Sequence, residues 1–205
     1  MGVNLGSYAN KVRGEPLPAK SISSATWISS TGTTSGSISG VTRANTGVVT
    51  SNSHGLSTGD RIAITGVSGM TQLNNKGYRV VKINNNTFSL QALSSGSTIN
   101  TSGYSTYRGN GTWRKCLLST CEVRVTANSH GFSDNDWVML TDLNGLTGLN
   151  NEVFQVKDKA TNTFVLRDTL GFEYGNNSAT SGKAWCTKNV AASRPCEFFR
   201  YETVN

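Results

Sequence analysis

Residues 48–90 read VVTSNSHGLSTGDRIAITGVSGMTQLNNKGYRVVKINNNTFSL, and residues 124–166 read RVTANSHGFSDNDWVMLTDLNGLTGLNNEVFQVKDKATNTFVL. The two stretches align without a gap at an offset of 76. Asn52-Ser53-His54-Gly55 returns as Asn128-Ser129-His130-Gly131, and Asp60 as Asp136. Leu73-Asn74-Asn75 returns as Leu149-Asn150-Asn151, and Thr87-Phe88 as Thr163-Phe164. Identities held in one register over this length mark an internal duplication, which sets the fold before any other feature is weighed.

Within the twins, positions that stay apolar fall two apart. Ile62 and Ile64 match Val138 and Leu140; Tyr78 and Val80 match Phe154 and Val156; Phe88 and Leu90 match Phe164 and Leu166. A period of two is the signature of a strand with one buried face. Four strands per copy follow, near 47–53, 61–66, 77–83 and 87–91, and near 123–129, 137–142, 153–159 and 163–167. Asn84-Asn85-Asn86 supplies a turn of residues that tolerate left-handed backbone angles. A Gly/Ser-rich stretch after each copy leads to a tryptophan, Trp113 and Trp185, read as a fifth strand that closes the module. A meander of this kind must pair or close its edges, so the expected class is all-β, two tandem small β-barrel-like modules. The expected divisions are an extended N-terminal arm at 1–42, modules at 43–116 and 117–190, and a C-terminal docking tail at 191–205. The arm is expected to carry one strand near Ala25–Ser29.

Composition agrees. The chain has 205 residues, 36% of them hydrophobic, with 22 glycines. Abundant Gly, Ser, Thr and Asn favour short strands and many turns over helices. No apolar run reaches the roughly 18 residues of a membrane span, and the N-terminus lacks the layout of a signal peptide. The formal net charge of +7 invites a nucleic-acid reading. The basic residues are dispersed, however, and are not interleaved with aromatics as a stacking platform requires.

The runs His54-Gly55-Leu56-Ser57-Thr58-Gly59-Asp60, Ile62 to Val67, Met70 to Asn74, Tyr78-Arg79-Val80, Asn86-Thr87-Phe88 and Ser102-Gly103-Tyr104 carry a resemblance. Together they resemble repeats of tailed-phage virion proteins that are similar to the first catalytic-cysteine half-domain of ubiquitin-activating enzyme. The resemblance covers about 140 residues, counting both copies. It implies the β-barrel fold and a virion component of the tail or head–tail region, and it implies no ubiquitin chemistry. The second copy departs from the pattern at Asn135, where the first has Gly59, and in its trailing loop.

Candidate chemistry is sparse. His54 and His130 are the only histidines, and each shares a turn with a serine and an aspartate: Ser57 and Asp60, Ser133 and Asp136. Nucleophilic catalysis needs the histidine to reach the serine while an acid orients it. Groups this close in sequence more readily bond to local backbone amides. His54, Gly55, Asp60, His130, Gly131 and Asp136 are therefore read as structural turn residues. Cys116 and Cys121 fit the outer limit of zinc-ligand spacing, but Cys186 and Cys196, with nine residues between them, do not; all four are expected as buried free thiols, with a later disulfide left open for either pair. No catalytic residue, metal or cofactor is expected.

Charge separates the twins. Residues 44–115 hold seven bases against Asp60 alone, whereas residues 116–170 hold four bases against seven acids. One copy is basic and the other acidic, which suggests head-to-tail contact between subunits. Arg61, Arg79, Val81, Lys82 and Ile83 of the first copy, with Asp134, Asp142 and Asp158 of the second, are the candidate interface. Val81 and Ile83 correspond to Lys157 and Lys159, so an outer apolar face of the first copy is expected to be covered. The function expected is an oligomeric assembly or attachment module of a tailed-phage virion, assembled in the host cytoplasm, with copies of itself and other virion proteins as partners. Rival readings are a receptor- or glycan-binding adhesin that stacks sugars on Trp27, Tyr104, Tyr107 and Tyr174, a capsid decoration protein, and a cell-wall hydrolase.

Overall fold

A computed structural model of the chain describes residues 19–175 and 177–188. Both the expected docking tail and the first eighteen residues of the expected arm lie outside them. The strands are β1 (Lys20–Ile22), β2 (Ser24–Thr26), β3 (Ser35–Ser37), β4 (Gly40–Val41), β5 (Val48–Thr50), β6 (Arg61–Thr65), β7 (Lys76–Lys82), β8 (Thr87–Ala92) and β9 (Thr112–Lys115). The series continues with β10 (Glu122–Thr126), β11 (Trp137–Thr141), β12 (Val153–Lys157), β13 (Thr163–Leu170) and β14 (Gly182–Lys188). Short 3-10 turns span Thr71–Leu73, Thr147–Leu149 and Gly171–Glu173. Among the described residues, no helix is long and apolar enough to cross a membrane.

Two seven-stranded sheets result, and they repeat one plan. The first copy orders its strands β9-β6-β7-β8-β5; the second orders them β14-β11-β12-β13-β10. Fifth, second, third, fourth, first is the order in both. The sheets differ from an open meander at their ends. The segment 20–26 pairs through β1 with β14 and through β2 with β10, the two outermost strands of the second copy. The segment 35–41 does the same for the first copy, through β3 with β9 and β4 with β5. One short piece of chain thus bridges both edges of each sheet and curls it into a barrel. Closure satisfies edge N–H and C=O groups that would otherwise template aggregation. Of the stretch expected as an arm with a single strand, the described part instead provides four. The reason is local: Ser, Gly and Thr in strands of two or three residues carry no apolar alternation.

The chain divides into two compact units. Of the described residues, one unit takes 19–25, 124–168 and 179–188. The other takes 26–123 and the segment between 169 and 178. The second of these has a core of Ile38, Val49, Leu56, Ile62, Ile64, Val67, Met70, Leu73, Tyr78, Val80, Phe88, Leu90 and Trp113. The first has Val125, Phe132, Val138, Leu140, Leu143, Leu146, Leu149, Phe154, Val156, Phe164 and Leu166, all buried. Except for Ile38, which precedes the repeat, and Trp113, every member of the one core has its twin in the other at the offset of 76. Ile62, Val138, Phe88 and Phe164 are each wholly inaccessible.

Trp113 lacks a twin because the closing strands are not in the register expected of them. Ile64 pairs with Trp113, whereas its twin Leu140 pairs with Ala184. Trp185 sits one residue beyond, opposite Met139. A slip of one residue sends a side chain to the other face of a sheet. Trp113 therefore points inward and donates from Nε1 to Ser51 Oγ at 2.9 Å, while Trp185 points outward and remains half-buried. The second copy has lost both partners of that bond together, since Ala127 replaces Ser51 and Ala184 replaces Trp113, so neither donor nor acceptor is left unsatisfied.

Trp113→Ala is expected to cost about 3–5 kcal/mol, as a cavity in a filled core does. Trp185→Ala is expected to cost less than about 1 kcal/mol. Urea denaturation of the two variants checks this directly.

Candidate functional site

The twin His-Gly turns hold the densest polar chemistry of the chain. His54 and His130 are buried, 1% and 2% exposed. The Leu56 amide donates to His54 Nδ1 at 3.0 Å, and the Phe132 amide donates to His130 Nδ1 at the same distance. An Nδ1 that accepts must be bare, so the ring proton sits on Nε2. From there His54 donates to Asn84 O at 2.9 Å and His130 to Ala160 O at 2.9 Å. Each imidazole thereby fastens the first turn of its barrel to the hairpin thirty residues on. The rings also pack edge-on against Phe88 and Phe164, with centroids 5.1 and 5.0 Å apart.

The neighbouring groups are spent locally too. Asp60 Oδ2 accepts from the Ser57 amide at 2.9 Å, and Asp136 Oδ2 from the Ser133 amide at 2.7 Å. Asp60 also pairs with Lys115 at 3.0 Å. Gly55 and Gly131 have φ of 64° and 74°, the left-handed region in which a Cβ is strained. Asn135, at φ 72°, holds the same conformation as Gly59 because asparagine tolerates it. Neither ring nitrogen of His54 or His130 is bonded to the serine or the aspartate of its turn. These turns therefore assemble no nucleophile–base–acid relay.

Further polar anchors recur. Asn74 clamps Val67 through both amide atoms, at 2.7 and 2.8 Å, and Asn150 clamps Leu143 at 2.9 and 3.2 Å. Asn86 Oδ1 receives the Ser53 amide and Asn162 Oδ1 the Ser129 amide, both at 2.9 Å. Matching asparagines in the two copies were visible in the sequence, but only the geometry gives their purpose.

The cysteines depart from the expectation of free thiols. Cys116 and Cys121 are bonded to one another, and Cys186 is also in a disulfide. The Cα atoms of Cys116 and Cys121 lie 5.0 Å apart because the chain reverses between them, with Cys121 at φ 60°. Spacing alone does not reveal that reversal.

The stacking set of the adhesin reading does not come together. Trp27 is wholly buried, with Gly171 and Phe172 against its ring and Nε1 donating to Gly175 O at 2.9 Å. Tyr107 donates its hydroxyl to Ile38 O, and Tyr104 packs against the core. Two tryptophans that sequence reasoning had not flagged as surface residues are outward instead: Trp137 and Trp185.

The candidate interface residues scatter. Arg61 and Arg79 are direct register partners on the outer face of the first-copy sheet, and Val81 lies on the same face of β7. Ile83, just past that strand, is 54% exposed, and nothing described covers it. Lys82 is exposed at the end of β7. Asp134 receives the Lys159 amide at 2.9 Å, and Asp158 holds a left-handed turn conformation at φ 49°. Asp142 sits beyond the far end of β11 and pairs with Lys183 at 3.0 Å. Asp134 and Asp158 thus come together, since Asp134 holds the amide of the residue after Asp158, whereas Asp142 stands apart beside Lys183. Among the described residues, no group of three His, Cys, Asp or Glu side chains gathers as metal ligands would.

The model of the family described as ubiquitin-activating enzyme E1 FCCH domain matches residues 44–116 and again residues 120–177. The chain belongs to the FCCH domain family. The two matches cover the two copies of the duplicated module, the second ending before its closing strand β14. No curated protein matches the chain. As an FCCH-family fold, the protein keeps its shared polar residues for holding barrels together; the copies differ inside at Trp113 and Ser51 against Ala184 and Ala127, and outside at positions such as Arg61 against Trp137.

Burial, reinforced by the charges of Lys159 and Lys20 and opposed by the carbonyls of Thr163 and Ala160, holds the His130 pKa below its ordinary 6.5. The unfolded chain therefore takes up this proton first. Stability should be full above about pH 6.5 and fall as the pH drops towards the lowered folded value. His130→Gln should flatten that decline, as read from melting temperature against pH. Removing the Cys116–Cys121 bridge by Cys116→Ser with Cys121→Ser should lower stability by about 2 kcal/mol, the loop-closure contribution of so short a ring; denaturant titration of this double variant, which leaves the disulfide of Cys186 in place, measures it.

Proposed function

We propose that this FCCH-family chain is a structural component of a tailed-phage virion, in the tail or head–tail region, and acts as an oligomeric assembly module. It works by surface complementarity and turns over no substrate. One observation carries the reading: the histidines and aspartates repeated in both turns bond to backbone groups of their own barrel, and the charged and aromatic differences between the twins, Arg61 against Trp137 and Arg79 against Gln155, lie outward. Duplication followed by divergence of outer faces suits a part that must contact two different neighbours. The virion assignment itself is supported by the resemblance of the repeats to phage virion modules.

The test is the position of the chain in a density map of the intact particle, with mass spectrometry of purified particles as a first screen. Absence from particles contradicts the proposal. A capsid-wide copy number selects a decoration protein instead, and specific binding on a glycan array selects an adhesin. The double variant Val81→Lys, Ile83→Lys is expected to fold, since neither side chain belongs to the core, yet to fail to enter particles. Normal incorporation would count against an assembly role for that face.

A further inference from the structure

We infer that the outer face of the second-copy sheet docks on the outer face of the first-copy sheet of another copy of this chain, tryptophan against arginine. The inference rests on the assembly reading above and names its contact surfaces.

Because the twins share one register, their outward positions compare one by one. β11 presents Trp137 and Met139 where β6 presents Arg61, with Ala63 on the same face but buried. β12 presents Gln155 where β7 presents Arg79. β14 sets Trp185 opposite Met139, and β9 sets Arg114 opposite Ala63. The same patch has therefore become aromatic on one barrel and basic on the other.

Each patch lacks something that the other has. Trp137 is 37% exposed and Val153, opposite Met139, is 44% exposed; with Ile83 they are the large apolar side chains displayed among the described residues. Trp185 adds a half-buried ring held by a 2.9 Å bond from Nε1 to Thr141 Oγ1, so little side-chain freedom is lost when it is covered. On the basic patch, Arg61 and Arg79 face each other directly, an arrangement that disfavours like charges. Arg114 lies on the neighbouring strand. None of the three forms an ion pair with a described carboxylate. The Nε groups of Arg61 and Arg79 are buried without a hydrogen-bond partner. Indole faces attract guanidinium groups and shed little arginine hydration in doing so. A sugar would also stack on Trp137 and Trp185, but it would leave the arginine trio without a counterpart; a second copy of the chain answers both patches at once. Such a contact is heterologous, and it repeats into a ring or a filament.

Sedimentation velocity of the whole chain over a concentration series tests this. Wild-type protein is expected to associate as its concentration rises. Trp137→Ser with Trp185→Ser should weaken association by about tenfold or more, and Arg61→Ser with Arg114→Ser should do the same. Mixing the two variants should restore a one-to-one dimer and nothing larger, because each contributes one intact face. Unchanged circular dichroism melting is the folding control; should Trp185→Ser unfold the chain, Trp137→Ser alone carries the measurement. A wild-type monomer at every concentration, variants that associate normally, or no dimer on mixing would each overturn the inference. So would a monomer whose tryptophan fluorescence responds to polysaccharide, in favour of sugar stacking. A chain found in particles yet monomeric in solution would remove this contact and leave the virion reading standing. A chain that associates as described yet is absent from particles would do the reverse.

Discussion

A buried imidazole that accepts from the amide two residues ahead and donates to a carbonyl thirty residues away is the constraint on which each barrel rests. It explains why Asn-Ser-His-Gly survives in both copies while most surface positions have drifted. The ring has two nitrogens of opposite polarity and one plane, so no other side chain can replace both bonds and also pack edge-on against Phe88 or Phe164. The glycine that follows lets the chain turn with a positive φ. The aspartate six residues on secures the amide of the serine within the same turn. With that turn fixed, the strands that follow enter the sheet in one register, and the alternation of Ile62 and Ile64, or Val138 and Leu140, faces inward.

The barrels then need closure, and it comes from outside the duplicated sequence. Segments 20–26 and 35–41 each span the two edges of one sheet. Neither is apolar enough to hold itself in place, but each satisfies two rows of backbone groups at once. A three-residue strand paired on its own would be marginal; joined across a barrel seam it becomes part of a closed ladder. The two copies therefore fold on one plan while each draws on chain that precedes the repeat.

Much of this was legible in the sequence. The offset of 76 predicted the strands, the paired cores and the shared turns, because period-two alternation and duplicate anchors are properties of the chain itself. The closing tryptophans were not. Gly111-Thr112-Trp113 and Gly182-Lys183-Ala184-Trp185 look equivalent as text, and a single residue of slip, visible only through the pairing of Ile64 and Leu140, sends one ring inward and the other out. The bridging strands were missed because two or three Ser, Gly or Thr residues give no pattern to read. The disulfide was left open by its spacing, since only a chain reversal brings Cys116 and Cys121 together. Of the candidate aspartates, Asp134 and Asp158 come together while Asp142 stands beyond the far end of β11, which a charge sum cannot distinguish.

The most direct measurement is of the ring nitrogens themselves, by nitrogen-15 magnetic resonance of the two histidines in the folded chain. Both should report a proton on Nε2 and a bare Nδ1 coupled to an amide, Leu56 in one case and Phe132 in the other. A proton on Nδ1, rapid exchange between tautomers, or such coupling at only one of the two histidines would contradict the account of twin barrels held by the same fastening.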